Sequence, residues 1–213
     1  MRQGLRLVVL DMDSTFIQQE VIDLLADHAG VGDAVAAITQ RSMKGELDFK
    51  DSLKERVALL KGLPATIFEE VRSEISLSVG AREMVEKLHD EGHKVAIVSG
   101  GFNNVIAPLL ESEGLDFFRA NTLEVSEGTL TGKTIGDVID REAKASYLRE
   151  LAGLLEIPLS ATVAVGDGAN DLGMMEISGL SIAFNAKPIV QERAQKTINN
   201  GDLYEVVRLM GIS

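Results

Sequence analysis

The chain has 213 residues, 45% of them hydrophobic and 25% charged, which excludes a disordered polypeptide and suits one domain or one domain with a sizeable insertion. It has no cysteine, which excludes a disulfide framework, thiolate metal sites and cysteine nucleophiles and fits a reducing, cytoplasmic setting. The net charge of 21 − 33 = −12 excludes a nucleic-acid partner and disfavours anionic ligands, unless a site concentrates positive charge of its own.

Residues 5–10 (LRLVVL) are rich in branched apolar side chains and predict a buried strand. This N-terminal apolar stretch is too short for a signal peptide, and no run reaches the ~18 apolar residues of a membrane span. From about 17 to 77 only helical periodicity is found. Val21, Leu24 and Leu25 mark one helix, and Phe49, Leu53, Val57 and Leu60 another. The strand-like run 95–98 (VAIV) follows a helix marked by Ala81, Met84, Val85 and Leu88. A helical stretch over 103–113 comes next, and residues 121–134 alternate around Glu127-Gly128 as a β-hairpin does. A helix marked by Tyr147, Leu148, Leu151, Leu154 and Leu155 leads to strands at 162–165 (TVAV) and 180–184 (LSIAF). Alternating strands and helices predict an α/β fold with a Rossmann-like parallel-sheet core. The expected division is a discontinuous core, 1–16 and 78–213, with a small helical cap domain over 17–77 inserted after the first strand.

Ligands of open α/β sheets bind beyond the carboxyl ends of the strands. Three expected strands end there in polar turns: Asp11-Met12-Asp13-Ser14-Thr15, Ser99-Gly100-Gly101 and Gly166-Asp167-Gly168-Ala169-Asn170-Asp171. Singly, each also reads as an ordinary turn rich in Asp, Ser or Gly. Lys144, in a helix that Asp140 is placed to cap, reads by itself as a solvated surface lysine. Jointly, three strands presenting carboxylates, a hydroxyl and glycine backbone at one edge argue for a phosphate- and metal-capable site. Two lookalikes fail. GTLTGKT (128–134) has three residues between its glycines where a phosphate-binding loop needs four, and GDGAND has Asp171 where a dinucleotide fingerprint needs its third glycine. The three histidines, His28, His89 and His93, form no HxH or HExxH pattern.

DMDST, then SGG, then a lysine, then GDGAND resembles, in order and spacing, the signature of the haloacid-dehalogenase-like phosphohydrolases. The early helical insertion is similar to the cap domain of one branch. The resemblance implies hydrolysis of a phosphate monoester through an aspartyl-phosphate, with O-phospho-L-serine as the small-molecule substrate. It further implies Asp11 as nucleophile and Asp13 as the acid that protonates the leaving serine oxygen and then activates water. Mg²⁺ would be held by Asp11, the Asp13 backbone carbonyl and Asp167. Ser99, Gly100 and Lys144 would hold the phosphoryl group, with Asn170 close by and Asp171 standing behind the ligands. Glu20 would meet the substrate ammonium and Arg56 its carboxylate, with Met43 and Phe49 lining the cap side. Phosphotransfer to homoserine, hydrolysis of another small phosphate ester and a non-catalytic phospho-acceptor signalling module remain as other readings. The oligomer expected is a monomer or homodimer.

Overall fold

The computed structural model describes residues 4–199 and 201–212. Residues 1–3, 200 and 213 of the expected core segments lie outside the described residues. Seven strands form one sheet in the order β4-β3-β2-β1-β5-β6-β7. They are β1 (Leu7–Leu10), β2 (Lys94–Phe102), β3 (Phe117–Ser126), β4 (Thr129–Ile135), β5 (Thr162–Gly166), β6 (Leu180–Phe184) and β7 (Lys196–Ile198). Every adjacent pair is parallel except β3 and β4.

β1 lies at the centre, with Val8 paired to Val95 on one side and to Val163 on the other. All four of its residues are buried, because both faces of the sheet are covered. Val8 and Leu10 join one apolar cluster with Met84, Leu88, Val105 and Val206. These come from α5 (Ala81–Asp90), α6 (Asn103–Ser112) and α10 (Glu205–Leu209). Leu7 and Val9 point the other way, into a cluster with Tyr147, Leu148, Met174 and Val190. Those belong to α7 (Arg141–Leu154), α8 (Leu172–Ile177) and α9 (Pro188–Arg193). The alternation follows from the two-residue period of a strand, and it explains why the sequence shows an unbroken apolar run.

Between β1 and α5 the chain forms α1 (Val21–His28), α2 (Gly32–Met43), α3 (Phe49–Ala58) and α4 (Ile67–Glu74). Asp48 caps α3 by accepting the Asp51 N–H at 2.8 Å. The α3–α4 connection is joined to the β3–β4 hairpin by three backbone hydrogen bonds of 2.8 Å. Gly62 N donates to Leu130 O, Leu130 N to Leu63 O, and Ala65 N to Gly128 O. The hairpin turns at Glu127 (φ 50°) and Gly128 (φ 76°), the two left-handed residues that match strand twist in a two-residue turn.

Three boundaries depart from expectation. The first strand starts at Leu7, the first residue in register with β2, although the Arg6 carbonyl still accepts the Lys94 N–H at 2.9 Å. β2 runs through Ser99-Gly100-Gly101 to Phe102, with a register shift against β3 between Val98 and Phe102. β7, a three-residue edge strand, has too short an apolar signal to be read from the chain.

Candidate active site

The carboxyl ends of β1, β2, β5 and β6 face a cleft of about 290 Å³, whose opposite wall comes from α2 and α3. Asp11, Asp13, Glu20, Gly100, Asp167 and Asn170 line its sheet side. Met43, Phe49 and Arg56 line its helical side. The turn after β1 is tight: Ser14 is left-handed (φ 56°), its N–H donates to Gln19 O at 3.3 Å, and Ile17 N donates to Met12 O at 3.0 Å. A non-glycine residue in that region stores backbone strain, which this turn holds with its own hydrogen bonds.

Lys144, Asp171 and Ser99 are fully buried behind the wall. Asp140 caps α7, accepting the Ala143 N–H at 2.9 Å, as its position suggested. Lys144 on the first turn of that helix is no surface lysine. Its Nζ lies 2.7 Å from both Asp11 Oδ1 and Asp171 Oδ1. Burial works against the Lys144 charge, but Asp11 and Asp171 outweigh it and hold the ammonium protonated. Asp171 also accepts the Gly168 N–H at 3.0 Å, so both of its oxygens are engaged. Gly166 is obligatory there, since a Cβ would overlap the Asp171 carboxylate.

The other carboxyls are crowded. Burial, then the neighbouring Asp171 charge, pushes Asp11 well above the ordinary carboxylate range, with Lys144 pulling the other way. Burial, then Glu20, pushes Asp13 up as well. Burial, Asp171 and Glu20 push Asp167 up to about 6. Asp13 Oδ1 is buried with no hydrogen-bond partner among the described residues. A Cβ on Gly101 would lie 3.0 Å from Asp13 Oδ2, so glycine makes room for this carboxyl. Asp11, Asp167 and Asp171 each offer an oxygen within 4.8 Å of the others. A cluster of hard-oxygen donors that crowds negative charge fits a divalent cation. Because Asp171 is occupied by Lys144 and Gly168, the free donors of that cluster are on Asp11 and Asp167.

Glu20 is exposed and accepts from Ser14 Oγ at 2.7 Å. The Arg56 Nε donates to the Ser52 carbonyl at 3.3 Å, one turn back on α3. Burial lowers the Arg56 pKa, while Asp23, Glu20 and Asp13 oppose that. Ser99 Oγ accepts the Gly101 N–H at 2.8 Å. It borders the same space as Asp13, since a Cβ on Gly101 would lie 3.0 Å from Ser99 Oγ too.

Sequence reading missed several lining residues. Thr39, Ser42 and Ser52 add hydroxyls on the helical side, and Lys187 adds a cation on the sheet side. The Thr39 and Ser42 hydroxyls donate to Val35 O and Leu47 O, whereas the buried Ser52 hydroxyl has no partner among the described residues. Ser52 was findable, at helical spacing from both Phe49 and Arg56. Lys187 was findable too, because it follows a fourth strand ending at the same edge.

Among the described residues, no helix is long and apolar enough to cross a membrane. The family model of haloacid dehalogenase-like hydrolases matches residues 8–176. The phosphoserine phosphatase of Streptococcus thermophilus is 50% identical over 204 residues, covering 96% of this chain and 95% of that one. That of Streptomyces coelicolor is 51% identical over 212 residues, which is 100% of this chain but 52% of the relative, so this chain spans about half its length. A solved structure described as a phospho-aspartyl intermediate analogue of phosphoserine phosphatase superposes with a TM-score of 0.91, at 43% identity, covering 99% of this chain and 100% of that one. With the fold, the cleft and these likenesses in agreement, the chain belongs to the haloacid dehalogenase-like hydrolases, in the phosphoserine phosphatase family.

Proposed function

We propose that the protein hydrolyses O-phospho-L-serine to L-serine and phosphate through an aspartyl-phosphate on Asp11. The observation that carries this reading is the pairing of Asp11 with a buried lysine at 2.7 Å, beside a second carboxyl, Asp13, whose pKa burial and Glu20 push up. The relatives named above supply the substrate.

Phosphoryl transfer needs an in-line oxygen nucleophile, charge neutralisation and a proton for the leaving group. Asp11 supplies the nucleophile, with Oδ1 anchored by the Met12 N–H at 2.7 Å and by Lys144. Asp13, raised by burial and by Glu20, donates its proton to the departing serine oxygen. Once serine leaves, the same carboxylate takes a proton from the water that cleaves the acyl phosphate. Lys144 neutralises charge as the phosphoryl group arrives, while Ser99, the Gly100 backbone and Asn170 hold its oxygens. A Mg²⁺ ion held by Asp11, the Asp13 backbone carbonyl and Asp167 would supply further neutralisation of the phosphoryl oxygens. Asp171 keeps Lys144 in place. Glu20 and Arg56 read the substrate's ammonium and carboxylate, with Met43 and Phe49 shaping the space between them. In this reading residues 17–77 act as a cap domain that excludes water from the cleft.

The test is phosphate release from phosphoserine, phosphothreonine, phosphoethanolamine and glycerol phosphate, with Mg²⁺ and after EDTA treatment. A homoserine arm detects transfer to another acceptor. Phosphoserine should have the highest kcat/KM, EDTA should silence the reaction and Mg²⁺ should restore it. Full activity in metal-free protein would remove Asp167 from its role, and a flat substrate profile would remove Glu20 and Arg56 from theirs.

A further inference from the structure

The cleft has an imbalance of charge. Four carboxyl groups line it, Asp11, Asp13, Glu20 and Asp167, and even with Asp13 holding its proton three acids face two cations, Arg56 and Lys187. Lys144 lies behind the wall and already carries two carboxylate partners. Arg56 stands on the helical side, so Lys187 is the one cationic lining residue on the sheet side among the described residues.

The Lys187 backbone is firmly placed. Its N–H donates to the Asp167 carbonyl at 3.1 Å, Asn185 N donates to Ile198 O at 2.8 Å, and Gln191 Nε2 donates to Ala186 O at 2.6 Å. Pro188 follows as the first residue of α9 and fixes the exit of the loop. From this anchored base the residue is exposed, and its ammonium joins no ion pair among the described residues. Its charge acts on Asp167, opposing the rise that burial and Asp171 impose. An exposed lysine without a partner, at the mouth of a cleft in a protein of net charge −12, is placed to attract an anion.

We propose that Lys187 is the capture residue for the phosphate group. It draws the incoming phosphate monoester toward the Asp11–Asp167 edge and holds the departing inorganic phosphate. The identity of the anion rests on the phosphatase reading; attraction of an anion by Lys187 does not. Lys187 is a positioning residue, since Asp11, Asp13 and Lys144 carry the chemistry.

Capture by charge has a signature that a structural role lacks. Removing a cation here makes the cleft more negative, so phosphate should bind more weakly and a divalent cation more tightly. Loosening the loop that holds Asp167 would weaken both. Calorimetry on the full chain separates the two, using Lys187→Met and Lys187→Arg. Lys187→Met should weaken inorganic phosphate binding to the Mg²⁺-loaded protein on the order of tenfold. It should tighten Mg²⁺ binding to the metal-free protein. Its kcat/KM for phosphoserine should fall mainly through KM and depend less steeply on salt than that of the wild type. Lys187→Arg should restore all three. Unchanged phosphate affinity in Lys187→Met would overturn the proposal, and so would parallel loss of phosphate and Mg²⁺ binding. Should the wild type hydrolyse no phosphate monoester, the phosphatase reading fails, while the opposed shifts in phosphate and Mg²⁺ affinity still decide the role of Lys187.

Discussion

Lys144 and Asp171, twenty-seven residues apart in the chain, meet at 2.7 Å with neither side chain exposed to water. The bond also fixes where Lys144 stands relative to Asp11, because the same ammonium reaches both carboxylates. Lys144→Met would leave two buried carboxylates without their cation. Removing one partner of a buried ion pair costs about 3–5 kcal/mol. Urea unfolding of the metal-free protein at neutral pH should show a loss of that size, along with loss of turnover. Asp171→Asn keeps the shape and one acceptor, so it should cost less stability while still lowering kcat. A Lys144→Met protein as stable as the wild type would mean that water reaches this pair.

The second prediction concerns the two carboxyls after β1. Asp11→Asn should abolish turnover and leave the fold intact, because a neutral amide cannot attack phosphorus and Lys144 keeps its Asp171 partner. Asp13→Asn should slow both half-reactions, by roughly 10²–10⁴-fold, since one group acts as acid and then as base. Rapid-quench detection of phosphoenzyme tests this. Phosphate bound covalently to Asp11→Asn would show that the nucleophile lies elsewhere.

The third prediction is a crossed specificity pattern. Arg56→Ala should raise KM for phosphoserine, at a cost on the order of 2–5 kcal/mol if the carboxylate is buried with it. Phosphoethanolamine has no carboxylate and should lose less. Glu20→Gln should weaken binding of both substrates, since both carry the ammonium. Arg56→Lys should rescue only in part, because a point charge does not reproduce the guanidinium fork. Equal losses on both substrates with both variants would show that these residues shape the cleft without reading the ligand.

The fourth prediction concerns pH and stability away from the cleft. His93, before β2, is buried; Arg6 N donates to its Nδ1 at 3.3 Å, and its Nε2 has no partner among the described residues. Burial, then the Arg6 charge, pushes its pKa below 6.5. A depressed folded-state pKa means the unfolded chain binds the proton more readily. The His93 contribution is therefore present above about pH 6.5 and is lost as pH falls through the folded-state value. Wild type should lose stability between neutral and mildly acidic pH more steeply than His93→Gln. Parallel profiles from chemical denaturation would contradict this.

How much of this was legible before folding depends on range. The apolar runs of β1, β2, β5 and β6 are local signals, and so are the polar turns that follow them. Once the sheet is assumed, Asp11, Gly100 and Asp167 fall at one edge without further information, and the cleft gathers them there. The burial of Lys144 is not local. Its neighbours in sequence look like a helix surface, and elements distant in sequence, α8 and the turns after β1 and β5 among them, enclose it. The parallel pairing of β3 with β2 was hidden for a similar reason. The hairpin pattern is complete in itself and says nothing about a second neighbour. The unpartnered Ser52 hydroxyl shows the same limit, because its spacing places it on the face shared by Phe49 and Arg56 but not its lack of a partner.

The central place of β1 carries a consequence for translation. Val8 leaves the ribosome before its two neighbours, Val95 and Val163, which lie far downstream. At about 5–20 residues per second, Val163 is made roughly eight to thirty seconds after Val8. For that interval a strand apolar on both faces lacks at least one of the partners that will cover its edges. The nascent chain therefore carries an apolar strand with an open edge through that interval. Slowing elongation between β2 and β5 should lower soluble yield more than slowing it after β5.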